Sequence, residues 1–188
     1  MPSPVEPPIE TSRLTLVHIS VEEMVTLFEH PGDGSIYPPR GVTNPYRVLI
    51  DDPRPLPWRV PQVRANPSHN RWFLRWIVLR ESGEIIGSTG FHTPPAATGT
   101  VEIGIGMHAE FRRRGYGREA VAGMFDWAAR QPEVRTLRYT VSPGNEASVR
   151  LINAFRFDHV GQQIDQEDGP EDIYEMSAAA FAQRTVGS

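Results

Sequence analysis

The stretch from Val101 to Ala120 constrains the fold more than any other part of the chain. It opens with an alternating apolar pattern that predicts a strand over Thr100–Met107, and it continues through a loop of arginines and glycines. Beyond the loop, apolar residues recur at the spacing of one helical face: Ala120, Val121, Met124, Phe125 and Ala128. A helix that follows a strand in this way covers a sheet, so the segment predicts an α/β (α+β) arrangement.

The loop between this strand and this helix has the composition of an anion-binding site. The first turn of a helix attracts phosphate, because its N–H groups have no partner within the helix and lie at the positive end of the dipole. Gly115 and Gly117 let the backbone approach a ligand closely. The charged donors nearby are Arg112, Arg113, Arg114 and Arg118. In a chain of net charge -4, this local cluster of cations predicts a pyrophosphate site.

This segment has two other interpretations. Three consecutive arginines can form an ordinary solvated turn. Residues 104–109, Gly-Ile-Gly-Met-His-Ala, also match the G-x-G-x-x-A pattern of dinucleotide-binding proteins. That pattern requires a helix that begins near Gly106, which would then contain Gly115 and Gly117, and no acidic residue lies at the end of a following strand. We therefore favour the pyrophosphate loop.

The whole chain, residues 1–188, is expected to form a single domain. Periodicity predicts the order strand, helix, loop, three strands, helix, strand, helix and two strands, which indicates a mixed sheet covered by helices. Of the 18 prolines, 13 lie between Pro2 and Pro67. Residues 31–71 show little periodicity, and the four prolines between residues 53 and 61 predict an extended excursion from the body.

Composition excludes several kinds of chemistry. The chain has no cysteine, and all 19 of its cationic side chains are arginine. This excludes a thiol nucleophile, a cysteine-based metal site and a Schiff-base lysine. No two histidines have the spacing of zinc ligands, so no metal is expected. The acidic balance argues against a nucleic-acid or membrane partner, no apolar run is long enough to span a membrane, and a cytoplasmic location is expected.

Three motifs resemble those of the GNAT family of N-acetyltransferases. Arg112-Arg-Arg-Gly115-Tyr-Gly117 is similar to the family's acetyl-CoA loop, R/Q-x-x-G-x-G/A. Asn145-Glu-Ala-Ser148, with the following Leu151 and Arg156-Phe157, resembles a signature of the branch that acetylates ribosomal proteins on an N-terminal alanine. Residues 9–16 resemble the opening strand of that branch. The resemblance covers residues 9–30 and 72–177 and omits the proline-rich excursion.

The resemblance implies a mostly antiparallel central sheet of six to seven strands, flanked by helices and splayed between the fourth and fifth strands. It also implies acetyl-CoA as the acetyl donor, with pantetheine bound by strand backbone and by Asn145, and with pyrophosphate wrapped by the loop N–H groups. Arg118 is added to this set on charge and position alone. The expected cofactor-binding residues are Ile105, Gly106, Met107, Arg112, Arg113, Arg114, Gly115, Tyr116, Gly117, Arg118 and Asn145.

The sequence departs from the family at two places. Arg156 stands where a glycine normally precedes Phe157, which puts the helix-to-strand turn in question. The tyrosine that many relatives use as a general acid is absent, and Ile152 occupies the nearest register. The resemblance therefore leaves Ser148 as the expected proton donor to the departing thiolate, unless Ser148 is only a hydroxyl on the helix surface.

Acetyl transfer needs a neutral amine, so a base or a water relay is required. Glu102 is the predicted base, because it lies two residues before the glycines of 104–106 on the strand that would present the thioester. A solvent-facing strand glutamate is an equal alternative. His92 and His108 are the alternative bases, and the N–H of Met107 is the expected donor to the oxyanion.

The predicted acceptor is a primary amine, either a small molecule or a protein N-terminus or lysine. Transfer is expected to be direct within a ternary complex, since no cysteine can carry the acetyl group. The excursion at 31–71 is expected on the acceptor side, with Trp58 and His92 as substrate-binding residues. The acidic run at residues 165–172 either attracts a cationic amine or forms a solvated turn. An acetyl-CoA-binding sensor or interaction module without turnover is the alternative function, and a homodimer stays open.

Overall fold

The computed structural model describes residues 5–95, 97–165 and 169–185. The strands in this part of the chain are β1 (Ile9–Glu10), β2 (Leu14–His18), β3 (Arg75–Leu79), β4 (Ile85–Phe91), β5 (Thr100–Met107), β6 (Thr136–Val141), β7 (Asp158–Asp165) and β8 (Gly169–Ser177). The α-helices are α1 (Val21–Glu29), α2 (Leu56–Ala65), α3 (Tyr116–Ala129), α4 (Glu146–Phe155) and α5 (Ala178–Thr185). Short 3-10 helices cover Gly34–Ile36, Pro38–Arg40, Pro67–Trp72 and Ala109–Phe111.

The strands follow the order β1-β2-β3-β4-β5-β6-β8-β7 in one sheet. Pairs β1–β2, β2–β3, β3–β4, β6–β8 and β7–β8 are antiparallel, whereas β5 and β6 are parallel. This topology confirms the predicted mixed, mostly antiparallel sheet flanked by helices. The sheet has eight strands rather than six to seven, because residues 9–10 form the short β1.

Contacts between residues divide the chain into two compact units. The first contains the chain up to Phe91 together with Ile105–Gly123. Its core lies between β2 and β3 and the helices α1 and α2. Leu16 of β2, Met24 of α1 and Val60 of α2 are all 0% exposed. Burial of each such side chain contributes roughly 1.5–3 kcal/mol, so this packing holds the helices in place.

The second unit contains His92–Gly104 and the chain from Met124 onward, and it has an aromatic core. The rings of Phe125 and Phe157 stack with centroids 5.3 Å apart, and Phe181 of α5 meets Phe125 edge-on at 5.7 Å. The sequence analysis did not predict α5. Its docking onto this core explains why eight residues with weak periodicity form a helix at that position.

Helix α2 corrects the prediction that residues 31–71 form an extended excursion. Leu56–Ala65 is helical despite its two internal prolines. Pro57 lies in the first turn, where its missing N–H would have had no partner. Pro61 removes one donor from the helix interior, and burial of Leu56, Val60 and Val63 offsets that loss. The helix therefore forms with Pro57 in its first turn and Pro61 in its interior.

The turn after α4 forms even though Arg156 replaces the family's glycine. Arg156 adopts a left-handed conformation, with φ 55° and ψ 46°, and its N–H donates to Asn153 O at 3.0 Å. Glycine is favoured at this position because it pays no steric penalty there. Arg156 therefore adopts an unfavourable left-handed conformation, and the turn from α4 into β7 forms with it.

Candidate active site

The loop before α3, residues 112–117, curves into a concave stretch of backbone, called the cradle below. Arg113 and Gly115 both have left-handed backbone, with φ 61° and 83°, so the chain curls tightly before α3 begins at Tyr116. Within the described ranges, the N–H groups of residues 113–117 form no hydrogen bond. Successive unpaired N–H groups in such a curl, next to a helix N-terminus, make an anion-binding concavity.

The end of β5 leads directly into this cradle. Arg112 Nε donates to Met107 O at 3.0 Å, which ties the loop to the last residue of the strand. Gly106 is exposed, and its carbonyl lies so close to β4 that a Cβ on Gly87 would be 2.4 Å from the oxygen. The first unit thus brings together Ile105–Met107 and residues 112–118, ten of the eleven predicted cofactor-binding residues. Asn145 belongs to the second unit.

Glu102 lies in a polar cluster of the second unit. Its Oε1 accepts hydrogen bonds from the Thr140 hydroxyl at 2.5 Å and from Nδ1 of His92 at 3.2 Å. The Glu102 side chain is 19% exposed and that of His92 is 45% exposed. The carboxylate therefore orients the imidazole, which is the more exposed member of the pair. The structure joins two residues that the sequence analysis treated as alternatives.

The surroundings of Glu102 keep it ionised. Burial by itself raises the pKa of this carboxyl, but the hydrogen bonds from His92 and Thr140, with the positive charge of Arg138, outweigh burial and hold the pKa below its ordinary value. Glu102 is therefore an ionised carboxylate that is hydrogen-bonded to His92 and Thr140.

Asn145 and Ser148 lie together at the start of α4. Asn145 Oδ1 caps the helix by accepting the N–H of Ser148 at 3.2 Å. The Ser148 side chain lies near the hydroxyl of Tyr139 on β6 and lowers its pKa. Tyr139 is 4% exposed, and burial raises its pKa more than Ser148 lowers it, so the phenol stays protonated. The sequence analysis missed Tyr139 because the alternation of β6 marks it only as a core residue.

Tyr139 and Thr140 are consecutive residues of β6, so their side chains lie on opposite faces of the sheet. The pair of His92 and Glu102, bonded to Thr140, is therefore on one face of this strand, and Tyr139 with Ser148 is on the other. The parallel ladder beside them is short, since it pairs Thr100–Glu102 with Thr136–Arg138 while both strands continue further. The sequence analysis places the splay at this parallel pair, since its fourth and fifth strands become β5 and β6 once β1 is counted.

Two aromatic residues of the segment 31–71, Trp58 and Tyr46, differ in their surroundings. Trp58 lies on α2 and is 42% exposed, so its ring is open to a ligand and does not anchor the excursion. Tyr46 does anchor it, because its ring lies 4.8 Å from that of His108 and 4.9 Å from that of Phe111. The ring of His108 is thereby held against that of Tyr46 just before the cradle, and its role as an alternative base stays a prediction.

The structure describes part of the acidic run at residues 165–172. Glu167 and Asp168 lie outside the described residues. Asp172 accepts hydrogen bonds from His159 at 3.1 Å and from Gln162 at 2.8 Å, and these bonds hold its pKa below its ordinary value. Glu171 accepts a bond from Gln163 at 2.9 Å. Among the described carboxylates of the run, these two are thus held by polar residues of β7.

Neither metal ligands nor a membrane span is found in the described part of the chain. No group of three or more acidic or histidine side chains there is placed to hold a metal ion. None of the described helices has the length and apolar character needed to cross a bilayer.

The chain is similar in sequence to known N-acetyltransferases. Residues 13–158 match the sequence profile of the acetyltransferase (GNAT) domain. The chain is 25% identical over 157 residues to the uncharacterized N-acetyltransferase p20 of Bacillus licheniformis, with 84% of this chain and 85% of that protein covered. It is 30% identical over 97 residues to the uncharacterized N-acetyltransferase YjdG of Bacillus subtilis, which covers 51% and 58%.

Solved structures share the fold at low sequence identity. A ribosomal-protein-S5-alanine acetyltransferase from Vibrio fischeri superposes with a TM-score of 0.66 at 16% identity, covering 94% of this chain and 99% of that one. A GNAT acetyltransferase from Bacillus anthracis gives 0.61 at 18% identity, with 92% and 99% covered. The profile match spans most of the chain and includes the arginine and glycine loop, so this protein belongs to the GNAT family of acetyltransferases.

Proposed function

We propose that the chain transfers an acetyl group from acetyl-CoA to a primary amine within a ternary complex. The amine attacks the carbonyl carbon of the thioester, a C–N bond forms as the C–S bond breaks, and CoA leaves as a thiolate. The chain has no cysteine to carry the acetyl group, so the transfer is direct. The hydrogen-bonded pair of His92 and Glu102 carries this proposal, because an ammonium ion must lose a proton before it can attack.

Acetyl-CoA as the donor is supported by the cradle before α3. Acetyl-CoA bears a pyrophosphate, and the N–H groups of residues 113–117 with the neighbouring arginines are donors of the matching charge. One solved relative by fold, the microcin C7 self-immunity acetyltransferase with a TM-score of 0.60, is a complex with acetyl-CoA and AMP. Asn145 uses its oxygen to cap α4, which leaves its amide nitrogen to bond pantetheine.

In this proposal the base acts through His92, which differs from the simplest expectation that Glu102 takes the proton directly. Glu102 already accepts two hydrogen bonds and is less exposed than His92. His92 receives the proton of the amine on the ring nitrogen that does not face Glu102, and the carboxylate stabilises the charge that develops. General-base help of this kind contributes about 100-fold to 10,000-fold in rate.

Proton return to the thiolate is assigned to Ser148, supported by Tyr139. The hydroxyl of Ser148 gives its proton to sulfur and recovers one from the neighbouring phenol of Tyr139, which in turn regains a proton from solvent before the next turnover. A thiol has a pKa of roughly 8.5, so CoA leaves tolerably without this help and the contribution is modest. The oxyanion that forms during attack would be stabilised by the N–H of Met107 at the end of β5.

The acceptor is proposed as a primary amine, without a narrower choice. Relatives by fold are named for two different amines, spermidine in a Vibrio cholerae chimera and a ribosomal-protein alanine in the Vibrio fischeri enzyme, and at 12% and 16% identity they support the fold only. The exposed ring of Trp58 and the carboxylates of Glu171 and Asp172 are the groups of this chain that suit a cationic acceptor.

An acceptor panel tests the proposal. Acetyl-CoA and the purified chain are mixed with polyamines, aminoglycosides, and peptides that present either a free N-terminus or lysine, and products are identified by mass. We expect one class of amine to gain an acetyl group, with Glu102→Gln slower and the exposed Glu81→Gln unchanged. If acetyl-CoA binds but no amine in any class is acetylated, the alternative of a binding module without turnover is supported instead.

A further inference from the structure

The turn between β1 and β2, residues 11–13, is hydrogen-bonded to Glu119 in the first turn of α3. The backbone N–H of Arg13 and its Nε donate to the two carboxylate oxygens of Glu119 at 2.6 Å and 2.7 Å. The Thr11 hydroxyl donates to the same carboxylate at 2.7 Å. The Glu119 side chain is 15% exposed, and although burial alone would raise its pKa, these bonds hold the pKa below its ordinary value. Glu119 is therefore ionised and fully engaged by this turn.

The same arginine also holds the cradle itself. Arg13 Nη1 donates to Arg114 O at 3.1 Å, and the guanidinium lies 4.4 Å from the ring centroid of Tyr116. Gly115 lies between these two residues, and a Cβ there would be 3.3 Å from Arg13 Nη2. One side chain thus contacts the loop on both sides of its left-handed glycine.

The cradle needs such support because its conformation is unfavourable by itself. Arg113 has left-handed backbone, which costs about 1–2 kcal/mol for a residue other than glycine. Glu119 adds an electrostatic problem, because a carboxylate in the first turn of α3 opposes the binding of a pyrophosphate at that helix end. Arg13 offsets both effects. It holds the loop through the carbonyl of Arg114, and it neutralises the carboxylate of Glu119.

We propose that Arg13 is a positioning residue for the donor substrate: it shapes the loop at 112–117 and cancels the charge of Glu119, so that the cradle accepts the pyrophosphate of acetyl-CoA. This inference rests on the proposed function, because it assumes that acetyl-CoA binds in the cradle. Arg13 itself contacts neither the acetyl group nor the amine, so its loss acts on donor binding rather than on the chemical step.

Acetyl-CoA binding by calorimetry, with steady-state kinetics, tests this assignment. We expect Arg13→Ala to raise the Kd and the KM for acetyl-CoA about tenfold with kcat kept within about twofold. Adding Glu119→Gln to Arg13→Ala removes the uncompensated charge and should recover part of the lost affinity. Arg13→Lys retains the charge but not the forked geometry, so its effect should be intermediate.

Arg80→Ala is the matched control. Arg80 Nη1 donates to Thr11 O at 2.8 Å, so Arg80 supports the same turn but makes no contact with the described part of the cradle. We expect its Kd for acetyl-CoA to match that of the wild type. If Arg80→Ala and Arg13→Ala weaken binding equally, the turn acts only as a structural support and the assignment is wrong.

The outcomes separate this inference from the proposed function. A wild-type chain that binds no acetyl-CoA overturns both. A wild-type chain that binds and transfers acetyl groups, with Arg13→Ala and Arg13→Lys of unchanged Kd, overturns only the role of Arg13. If Arg13→Ala does not fold, Arg13→Lys decides the question, with a roughly threefold weaker Kd expected and an unchanged one contradicting the inference.

Discussion

His18 makes the stability of this protein depend on pH in a way that can be worked out from its contacts. The side chain is 1% exposed at the end of β2. Its Nε2 lies 3.0 Å from Asn70 O, and its Nδ1 accepts the backbone N–H of Glu6 at 3.2 Å. Both bonds are satisfied by the neutral ring with its proton on Nε2. A second proton on Nδ1 would face the N–H of Glu6.

The fold therefore opposes protonation of His18. Burial, together with the positive charge of Arg75, lowers its pKa from 6.5 to about 4. In the unfolded chain the pKa returns to its ordinary value, so between these limits the unfolded state binds more protons. The stabilisation is complete above pH 6.5 and is lost as the pH falls toward 4, with a full size of about 3 kcal/mol. Between pH 7 and pH 5 the loss is about 2 kcal/mol.

Urea unfolding measures this directly. The free energy of unfolding is compared at pH 7 and pH 5 for the wild type and for His18→Gln, whose amide can keep both bonds but cannot titrate. Between pH 7 and pH 5, we expect the free energy of unfolding of His18→Gln to fall by about 2 kcal/mol less than that of the wild type. His30→Gln, a change at an exposed histidine, is the control and should retain it. Equal pH dependence in the wild type and His18→Gln would refute the reasoning.

Three further predictions concern the site and the turn after α4. Glu102→Gln should lower kcat about 100-fold at pH 7, with a smaller loss as the pH approaches the pKa of the amine, which supplies its own neutral form; a loss independent of pH between 6 and 9 would argue for a structural role. Tyr139→Phe should lower kcat about threefold, and adding Ser148→Ala should cost little more, because both act on one proton path; additive losses would separate them. Arg156→Gly should raise the free energy of unfolding by about 1 kcal/mol and the Tm by about 2–4 °C, as seen by calorimetry, because it removes a left-handed arginine; an unchanged Tm would contradict this.

Local signals in the sequence predict most of the fold. The capping box of Ser20 and Glu23 marks the start of α1, and hydrogen bonds confirm both halves of it. The alternation of Thr100–Met107 and the apolar face after Ala120 predict β5 and α3. These elements carry periodic patterns long enough to identify, which is why sequence alone suffices for them.

The elements that sequence misses depend on tertiary contacts. Helix α2 contains Pro57 and Pro61, which predict a break, and it forms because its apolar side chains are buried beside α1. Helix α5 is held by Phe181 in an aromatic core. The two residues of β1 are too few to show any period. None of these causes is visible without the packed structure.

The site divides in the same way. The arginine and glycine loop is a continuous motif, so its position before α3 follows from the sequence. The pairing of His92 with Glu102 depends on how the chain after β4 meets β5, and the placement of Ser148 near Tyr139 depends on how α4 follows β6. No local pattern in the sequence shows either contact. The single-domain assignment, the homodimer and the cytoplasmic location stay predictions.

Initial rates of CoA thiol release test the central claim most directly. They are measured against amine concentration at several fixed concentrations of acetyl-CoA, with an amine from the panel that accepts the acetyl group. Direct transfer in a ternary complex predicts that release requires both substrates and that reciprocal plots intersect. Parallel plots, or acetyl-CoA binding without thiol release in the presence of any amine, would contradict the account.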